Sequence, residues 1–305
     1  MQIKSNRVPK GRGKQPCCQS FFTLFYLVKN TILPYLINQT TFGMKRRSFV
    51  RSAMVAGAAA SLATTTSKAA EPPTTAEYYE LRSYSLKTAA QQALVEGYYK
   101  DAAITAYMRA GAKNVGVFTE LKPEGQTKLY VLIAYSSLAS VAQVADKLAA
   151  DKAYLQQAQA YLNAPASQPA YERIESSLMK AFKHSPILEA PEKKTRIFEL
   201  RQYQSASEAA GQKKIQMFND EGEIDIFKRL GFKPVFWGET VIGPLRPNLT
   251  YMVTFDDLAG KDAHWKAFID DAQWKKISAV PEYADALLVN KITSTLLVPT
   301  AYSQI

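Results

Sequence analysis

From residue 78 onward, segments with the apolar spacing typical of strands alternate with segments that have the spacing typical of helices. Tyr78–Leu86 alternates with a period of two and predicts a strand, whereas residues 88–110 carry apolar side chains at helical spacing. Gly111 is well placed to end this helix, because glycine tolerates the left-handed conformation that is common there. The pattern therefore begins with a strand followed by a helix.

The same stretch continues with a predicted hairpin. Residues 115–135 contain two runs of β-forming residues, and the turn sequence Lys-Pro-Glu-Gly at 122–125 separates them. A second helix is predicted over residues 138–162, with a break near Lys152, and a last strand over residues 171–180. The predicted order of elements is βαββαβ.

The pattern then repeats in the same order. The second set of predicted elements is a strand at 197–203, a helix at 208–230, strands at 235–241 and 249–255, a helix at 260–277 and a strand at 286–297. Residues 184–194, which lie between the two sets, are rich in proline and charge and are predicted to be a linker.

Short motifs recur at the same offset as the elements. The Glu-Leu-Arg-x-Tyr strand returns 119 residues later, and three other landmarks return 120 residues later. The matched pairs are 80–84 with 199–203, 109–113 with 229–233, 135–139 with 255–259, and 151–154 with 271–274. A period this long indicates two copies of a whole domain, not a solenoid repeat.

The order βαββαβ is the split βαβ pattern of the ferredoxin-like fold. Helices cover one face of each four-stranded antiparallel sheet, and the cheapest cover for the other face is the same face of the second copy. We therefore predict an α+β protein of two tandem ferredoxin-like repeats packed sheet to sheet. The first repeat is placed at residues 77–183 and the second at residues 195–300.

The positive charge of the chain is confined to its first part. Of the net charge of +11, all is carried by residues 1–69, which hold eleven Lys or Arg and no acidic residue, while the rest is balanced at 27 of each sign. Binding to nucleic acid needs a retained surplus of cations, so no nucleic-acid partner is predicted.

Residues 44–69 have the order of a secretory signal. A basic start with Arg46 and Arg47 is followed by an alanine-rich apolar run and by small residues that end at Ala69. The paired arginines are similar to those of twin-arginine signals. We predict cleavage after Ala69, export through the twin-arginine translocase and a periplasmic or secreted bacterial protein; the alternative is an exposed basic helix on a cytosolic protein.

Residues 1–43 fit a signal poorly, because a signal begins near the N-terminus. Either Met44 is the true start, so that residues 1–43 are a non-native or disordered extension, or the apolar run 21–37 is a short anchor; Lys29 and Pro34 interrupt it. Both cysteines, Cys17 and Cys18, lie here, so the exported part has no thiol chemistry. No stable membrane insertion is predicted after signal removal.

The paired Glu-Leu-Arg-x-Tyr strands, the Arg-x-Gly-x-Lys helix ends and the Asp-x-x-Trp segment resemble the NIPSNAP domain, over about residues 77–300. The resemblance implies a dimeric α+β barrel, and it is stronger in the second copy. In the first copy Tyr154 stands where Trp274 does, and Gly116 or Val117 stands where Trp237 does. This suggests one functional and one structural half. Members of the family are described as uncharacterised or trafficking-related, so the resemblance implies little about function.

Two rows of ionisable residues are the main candidates for a site. With a period of two, each row shares one face of its strand and the neighbouring leucines, Leu81 and Leu200, share the other. The rows are Glu80, Arg82 and Tyr84 in the first copy, and Glu199, Arg201 and Tyr203 in the second. We expect them to face the space between the sheets. Either each Glu neutralises its neighbouring Arg, or an Arg stays free to hold the carboxylate or phosphate of a small ligand.

Two further residues are weaker candidates. Trp237 is either a core residue or part of an aromatic cage, and His264 is either a surface histidine or a haem or metal ligand. With two histidines in the chain and no cysteine after residue 69, a multi-histidine zinc site cannot be built, and no metal is predicted. The sequence does not identify a cofactor, and it is compatible with a homo-oligomer.

Three classes of function stay open, and no reaction is defined. The sequence has no Gly-x-Gly-x-x-Gly or Walker loop, no Gly-x-Ser-x-Gly elbow and no His-Glu-x-x-His, which excludes hydrolases and nucleotide enzymes of those types. We favour binding of a small anionic or aromatic molecule in the barrel interior. The alternatives are a monooxygenase or haem-type enzyme of the barrel superfamily, and a structural or interaction module.

Overall fold

The computed structural model describes residues 75–305 of the protein, so the predictions for residues 1–43 and 44–69 lie outside the described residues. The strands are β1 (Tyr78–Leu86), β2 (Ala112–Glu120), β3 (Thr127–Tyr135), β4 (Arg173–Ala181), β5 (Ile197–Gln204), β6 (Lys233–Ile242), β7 (Asn248–Phe255) and β8 (Lys291–Pro299). The α-helices are α1 (Ala89–Tyr98), α2 (Ile104–Ala110), α3 (Leu138–Ala150), α4 (Lys152–Gln157), α5 (Gln159–Leu162), α6 (Glu208–Asn219), α7 (Glu223–Arg229), α8 (Leu258–Asp270), α9 (Ala272–Ser278) and α10 (Asp285–Leu288).

The eight strands form one closed antiparallel barrel in the order β1-β3-β2-β8-β5-β7-β6-β4. Strands from the two halves of the chain pair directly at β2–β8 and at β4–β6. The β2–β8 pairing is the shorter, since only three residue pairs, from Phe118–Pro299 to Glu120–Leu297, are in register. Closure leaves no free sheet edge, and it encloses the inner faces of both four-stranded sets.

The predicted elements are confirmed within a few residues, with three differences in the second half. The helix predicted over 260–277 is divided at Asp271 into α8 and α9. The helix predicted over 208–230 is divided into α6 and α7 by a turn in which Gly222 has a φ of 86°. The predicted start of the last strand at residue 286 is wrong, because residues 285–288 form α10 and β8 starts at Lys291. Burial of Leu288 against the helices requires a turn before Asn290 donates to the Gln204 carbonyl and the chain joins β5.

Three apolar cores follow from this arrangement. One lies between the sheet and the helices of the first half, and a second between the sheet and the helices of the second half. The third fills the barrel lumen with side chains from both halves, among them Tyr79, Phe118, Phe198, Leu200 and Phe236. The lumen is therefore a packed core in its middle, with a cavity at each end.

The recurring motifs at 109–113 and 151–154, and their second copies, are explained by one ion pair in each half. Arg109 at the end of α2 lies 2.6 Å from Asp151, which also caps α4, and Arg229 at the end of α7 lies 3.0 Å from Asp271, which caps α9. The pKa of the Asp151 carboxyl is lowered first by the Tyr154 backbone N–H that it caps and then by Arg109, whereas the pKa of the Asp271 carboxyl is lowered first by Arg229 and then by the Trp274 N–H. Gly111 has a φ of 110° and ends α2 as predicted. These motifs join helices and need no functional explanation.

Truncation of a lumen side chain should test how much of the stability depends on barrel closure. Phe118 is wholly buried in the lumen and its ring lies 5.0 Å from that of Phe198 across the two halves. We expect Phe118→Ala to lower the free energy of unfolding by about 3–5 kcal/mol, measured by urea denaturation. Leu287→Ala, at a site 63% exposed, is the control and should change it by less than about 0.5 kcal/mol. Equal effects of the two changes would contradict this account of the lumen.

Within residues 75–305, none of the helices has the length and apolar character that a membrane crossing requires.

Candidate functional site

The two Glu-Arg-Tyr rows do not face the barrel lumen, so the predicted direction is wrong. Tyr84 and Tyr203 pack with the helices outside the barrel, whereas Leu200 and the partly buried Leu81 pack in the lumen. The predicted alternation with a period of two is correct, but the face predicted to point into the lumen points toward the helices. The physical reason is that buried charged groups need hydrogen-bond partners. The helices provide phenol and indole groups for this purpose, whereas the eight converging strands fill the lumen with apolar side chains.

In the first half, the row is paired internally. The Arg82 guanidinium donates to both carboxylate oxygens of Glu80, at 2.6 and 2.9 Å, and to the Tyr99 hydroxyl at 3.5 Å. Tyr99 begins a π-helical turn, Tyr99–Ala103, between α1 and α2, and its hydroxyl lies 2.8 Å from that of Tyr84. The charges are thus neutralised under a layer of tyrosines.

The second half repeats the pairing with different partners. Arg201 Nη1 donates to Glu199 at 2.8 Å and its Nη2 donates to the Tyr203 hydroxyl at 3.0 Å, while the guanidinium lies 4.5 Å from the centre of the Trp265 ring. The Glu199 carboxylate also accepts from Trp265 Nε1 and Ser294 Oγ, both at 2.7 Å. The pairing of each Glu with its Arg is therefore confirmed, and ligand binding by either row stays a prediction.

Trp237 and His264 lie in the same layer between sheet and helices. Trp237 is wholly buried and stacks on Tyr251 with ring centres 4.2 Å apart, so it is a core residue and not an open aromatic cage. The structure identifies Val117, which packs in the first helix-facing core, as its counterpart, because Val117 pairs with Val131 as Trp237 pairs with Tyr251. His264 Nδ1 lies 2.6 Å from the Gly260 carbonyl of its own helix. Among residues 75–305 no group of three or more His, Cys, Asp or Glu could hold a metal ion.

A free cationic group lies instead at one end of the barrel. Arg196 is 3% exposed, and within the described part of the chain none of its three guanidinium nitrogens has a hydrogen-bond partner. It immediately precedes β5, on the inward face that Phe198 and Leu200 continue into the lumen. Burial of an unpaired charge is costly, so this side chain is the most unusual group in the barrel.

Arg196 forms part of the wall of a cavity of about 350 Å³. The other walls come from the segment between the two halves, from the end of β8 and from the chain that follows β8. The lining residues are Pro191, Glu192, Lys193, Lys194, Thr195, Phe198, Val298, Pro299, Thr300, Ala301, Ser303 and Ile305. The segment predicted as a simple linker thus forms one side of a pocket.

The surroundings of Arg196 carry both signs of charge: Lys193, Lys194 and Glu192 lie in the cavity wall, and Asp256 is nearby. Lys194 lies 2.8 Å from Asp256, and this hydrogen bond, with smaller effects from Lys194, Lys233 and Arg196 as nearby charges, lowers the pKa of the Asp256 carboxyl. Asp256 is 61% exposed and is already paired, so it does not neutralise the buried guanidinium. The equivalent position in the first half is Glu77, whose carboxylate accepts from the Leu188 backbone N–H at 2.8 Å.

Arg196 was not predicted from the sequence, because the alternation was followed only within the motif at residues 199–203 and not toward the N-terminus. Extending the period-two alternation of β5 by one step toward the N-terminus places Arg196 on the same face as Phe198 and Leu200. The sequence does not reveal that Arg196 lacks an acidic partner, because Glu192 and Glu189 lie close to it in the chain and could have paired with it.

The opposite end of the barrel has a polar mouth of about 280 Å³. Inward-facing hydroxyl and amide side chains line it, including those of Ser83, Tyr130, Gln202, Thr250 and Thr295. The mouth contains both signs of charge, from Lys128, Lys291 and Glu175, and none of these three groups is buried. It is therefore a weaker candidate for a charged ligand than the end that contains Arg196.

Comparison with known proteins agrees with this architecture. The NIPSNAP family model matches twice, over residues 79–186 and 198–304. A crystal structure of a provisionally assigned monooxygenase from Fusobacterium nucleatum is similar at a TM-score of 0.52 and 8% identity, covering 74% of this chain and 93% of its own; this likeness concerns the fold alone.

Two smaller NIPSNAP structures also match. One, from Agrobacterium tumefaciens, is 22% identical and covers 36% of this chain and 98% of its own; another, from Burkholderia xenovorans, is 19% identical and covers 36% and 90%; both have a TM-score of 0.32. No curated protein matches the chain. Because the family model accounts for well over half of the residues, the chain belongs to the NIPSNAP family.

Proposed function

We propose that this NIPSNAP-family protein binds a small anion at the Arg196 end of its barrel, with no reaction defined. The observation that carries the proposal is the buried guanidinium without a partner in the wall of a cavity of about 350 Å³. Cavities that bind small molecules in proteins begin at about 300 Å³, so the space is adequate for a small ligand.

The chemistry of the guanidinium supports an anionic ligand. Arginine stays charged at any physiological pH and presents five N–H donors in a planar fork that matches carboxylate and phosphate oxygens. An unpaired buried charge is destabilising, and a bound anion would remove that penalty. The nearby lysines and the hydroxyl groups of Thr300 and Ser303 extend the positive and donating character of the pocket.

The asymmetry of the barrel supports one functional half. We propose that each half is a ferredoxin-like unit, since each has the strand order 4-1-3-2 in its own numbering, and that the halves arose by duplication. The first half has Glu77 where the second has Arg196. An anion site is therefore compatible with the second half alone, which matches the prediction of one functional and one structural copy.

We also propose that the protein is exported by the twin-arginine route and works in the periplasm or outside the cell. The support is the sequence of residues 44–69: a basic start, an alanine-rich run and a small-residue end. In that setting, binding of a small anion would serve capture or delivery of a solute. The likeness to a monooxygenase is limited to the fold, so no oxygenase reaction is proposed.

Anion-dependent thermal stabilisation tests the proposed function. We expect millimolar acetate, benzoate, phosphate or sulfate to raise the melting temperature of the purified protein, with at least one anion giving a shift of several degrees. Arg196→Met should abolish the shift, and Arg173→Met, at an exposed arginine of β4, should retain it. An equal shift in the Arg196→Met protein, or no shift with any of the four anions, would overturn the proposal.

A further inference from the structure

The cavity at Arg196 has one polar side and one apolar side. Its polar side comes from the loop before β5 and from the hydroxyl groups of Thr300 and Ser303. Its apolar side contains Val298, Pro299 and Ala301, which keep exposed surface, together with Phe198 and Ile305, which are buried in the lumen core. A ligand that reaches the guanidinium must therefore also lie against an apolar floor.

The charge of the pocket fits a ligand with a single negative charge. Only one cationic group in the cavity wall, Arg196, is both buried and unpaired among residues 75–305, because Lys194 is paired with Asp256 and Lys193 is exposed. One negative charge neutralises one guanidinium, whereas a second negative charge would be buried without compensation. A monoanion is thus favoured over a dianion such as a phosphate monoester.

The shape of the donor group favours a carboxylate. Two parallel N–H groups of a guanidinium match the two oxygens of a carboxylate in one plane, which gives a short and strong bidentate pair. Phe198 is wholly buried, so the apolar surface that a ligand can touch comes from Val298, Pro299 and Ala301, which keep exposed surface in the cavity wall. Such a floor gains most from a flat or compact apolar group, because apolar burial contributes in proportion to area.

Resting on the proposed function, we infer that the Arg196 pocket selects a small monocarboxylate with a compact apolar body, such as an aromatic or short branched-chain acid. The carboxylate binds the guanidinium and the apolar body lies against Val298, Pro299 and Ala301. The volume of about 350 Å³ is at the lower end for ligand cavities and excludes long acyl chains from full burial.

Isothermal titration calorimetry with four matched probes tests this inference: benzoate, benzamide, acetate and phenyl phosphate. Benzamide keeps the ring without the charge, acetate keeps the charge without the ring, and phenyl phosphate carries nearly two charges at pH 7.5. We expect benzoate to bind at least about 10-fold more tightly than each of the other three, a difference of about 1.4 kcal/mol.

Two variants identify the groups responsible. Arg196→Lys keeps a cation but removes the planar fork, and it should weaken benzoate binding by about 10-fold or more. Val298→Ser should weaken benzoate binding and leave acetate binding unchanged, because it alters only the apolar wall. Circular dichroism and the melting temperature of each variant show whether the barrel is still folded.

The outcomes separate the two proposals. If phenyl phosphate or acetate binds as tightly as benzoate and Arg196→Met abolishes that binding, the pocket takes anions but the inference about a compact apolar monocarboxylate is overturned. If benzamide binds as well as benzoate, the guanidinium does not select the ligand and the inference also fails. If no probe binds in a manner that depends on Arg196, the proposed function and this inference fall together.

Discussion

Replacing Arg196 by methionine is expected to stabilise the ligand-free protein by about 1–4 kcal/mol in the free energy of unfolding. The guanidinium is 3% exposed and has no partner among residues 75–305, so the folded state carries a desolvated charge that the unfolded state keeps in water. Methionine has a similar length and adapts to irregular apolar space, and here it would extend the apolar surface of Phe198. Residues that bind ligands commonly reduce stability in this way.

Urea denaturation in a buffer without carboxylate or phosphate measures this effect. Arg173→Met is the matched control, because Arg173 is exposed at the start of β4 and its replacement should change stability by less than about 0.5 kcal/mol. Adding benzoate should narrow the difference between wild type and Arg196→Met, since the anion stabilises only the protein that retains the guanidinium. A variant less stable than wild type without any anion would show that Arg196 has a structural partner in solution.

Replacing Glu223 by glutamine should make the protein less sensitive to alkaline pH. Glu223 begins α7, is 3% exposed, and has one carboxylate oxygen without a partner in the described part of the chain. Burial raises the pKa of this carboxyl to about 7, although the nearby Lys214 and Arg201 charges act to lower it and Asp285 acts to raise it further. Lys214 is itself buried and lies 3.1 Å from Asp285.

The sign of the effect follows from proton linkage. Because the folded protein holds this proton more tightly than the unfolded chain, the related stability is fully present below pH 4.5 and is lost as the pH rises through about 7. Glutamine resembles the protonated form, so Glu223→Gln should match wild type near pH 4.5 and exceed it by about 3 kcal/mol at pH 8.

Chemical denaturation across pH 4.5–8 checks this prediction, with Glu124→Gln in an exposed turn as the control. The control should follow wild type at every pH. A Glu223→Gln protein that is destabilised most at high pH would contradict it, because that outcome would mean that the ionised carboxylate is stabilised by Lys214 in the folded state.

The site shows where prediction from the sequence succeeded and where it failed. The alternation of β5 correctly placed Glu199, Arg201 and Tyr203 on one face and Leu200 on the other, since that depends only on the geometry of a strand. The direction of each face was predicted wrongly, because it depends on what the helices and the other strands present. In the helix-facing layer, Arg201 donates to Glu199 and lies over the Trp265 ring, and no sequence pattern indicates Trp265 as its partner.

The sequence by itself determined the order of the elements, the duplication at an offset of 119 or 120 residues, and the confinement of the surplus positive charge to residues 1–69. These are local or additive properties of the chain. Only the tertiary structure decided that the halves close into one barrel, that the leucine face forms its lumen, and that Arg196 is buried with no hydrogen-bond partner among residues 75–305. Burial and pairing depend on neighbours brought together from distant strands, and such contacts are set by the packing of the whole barrel.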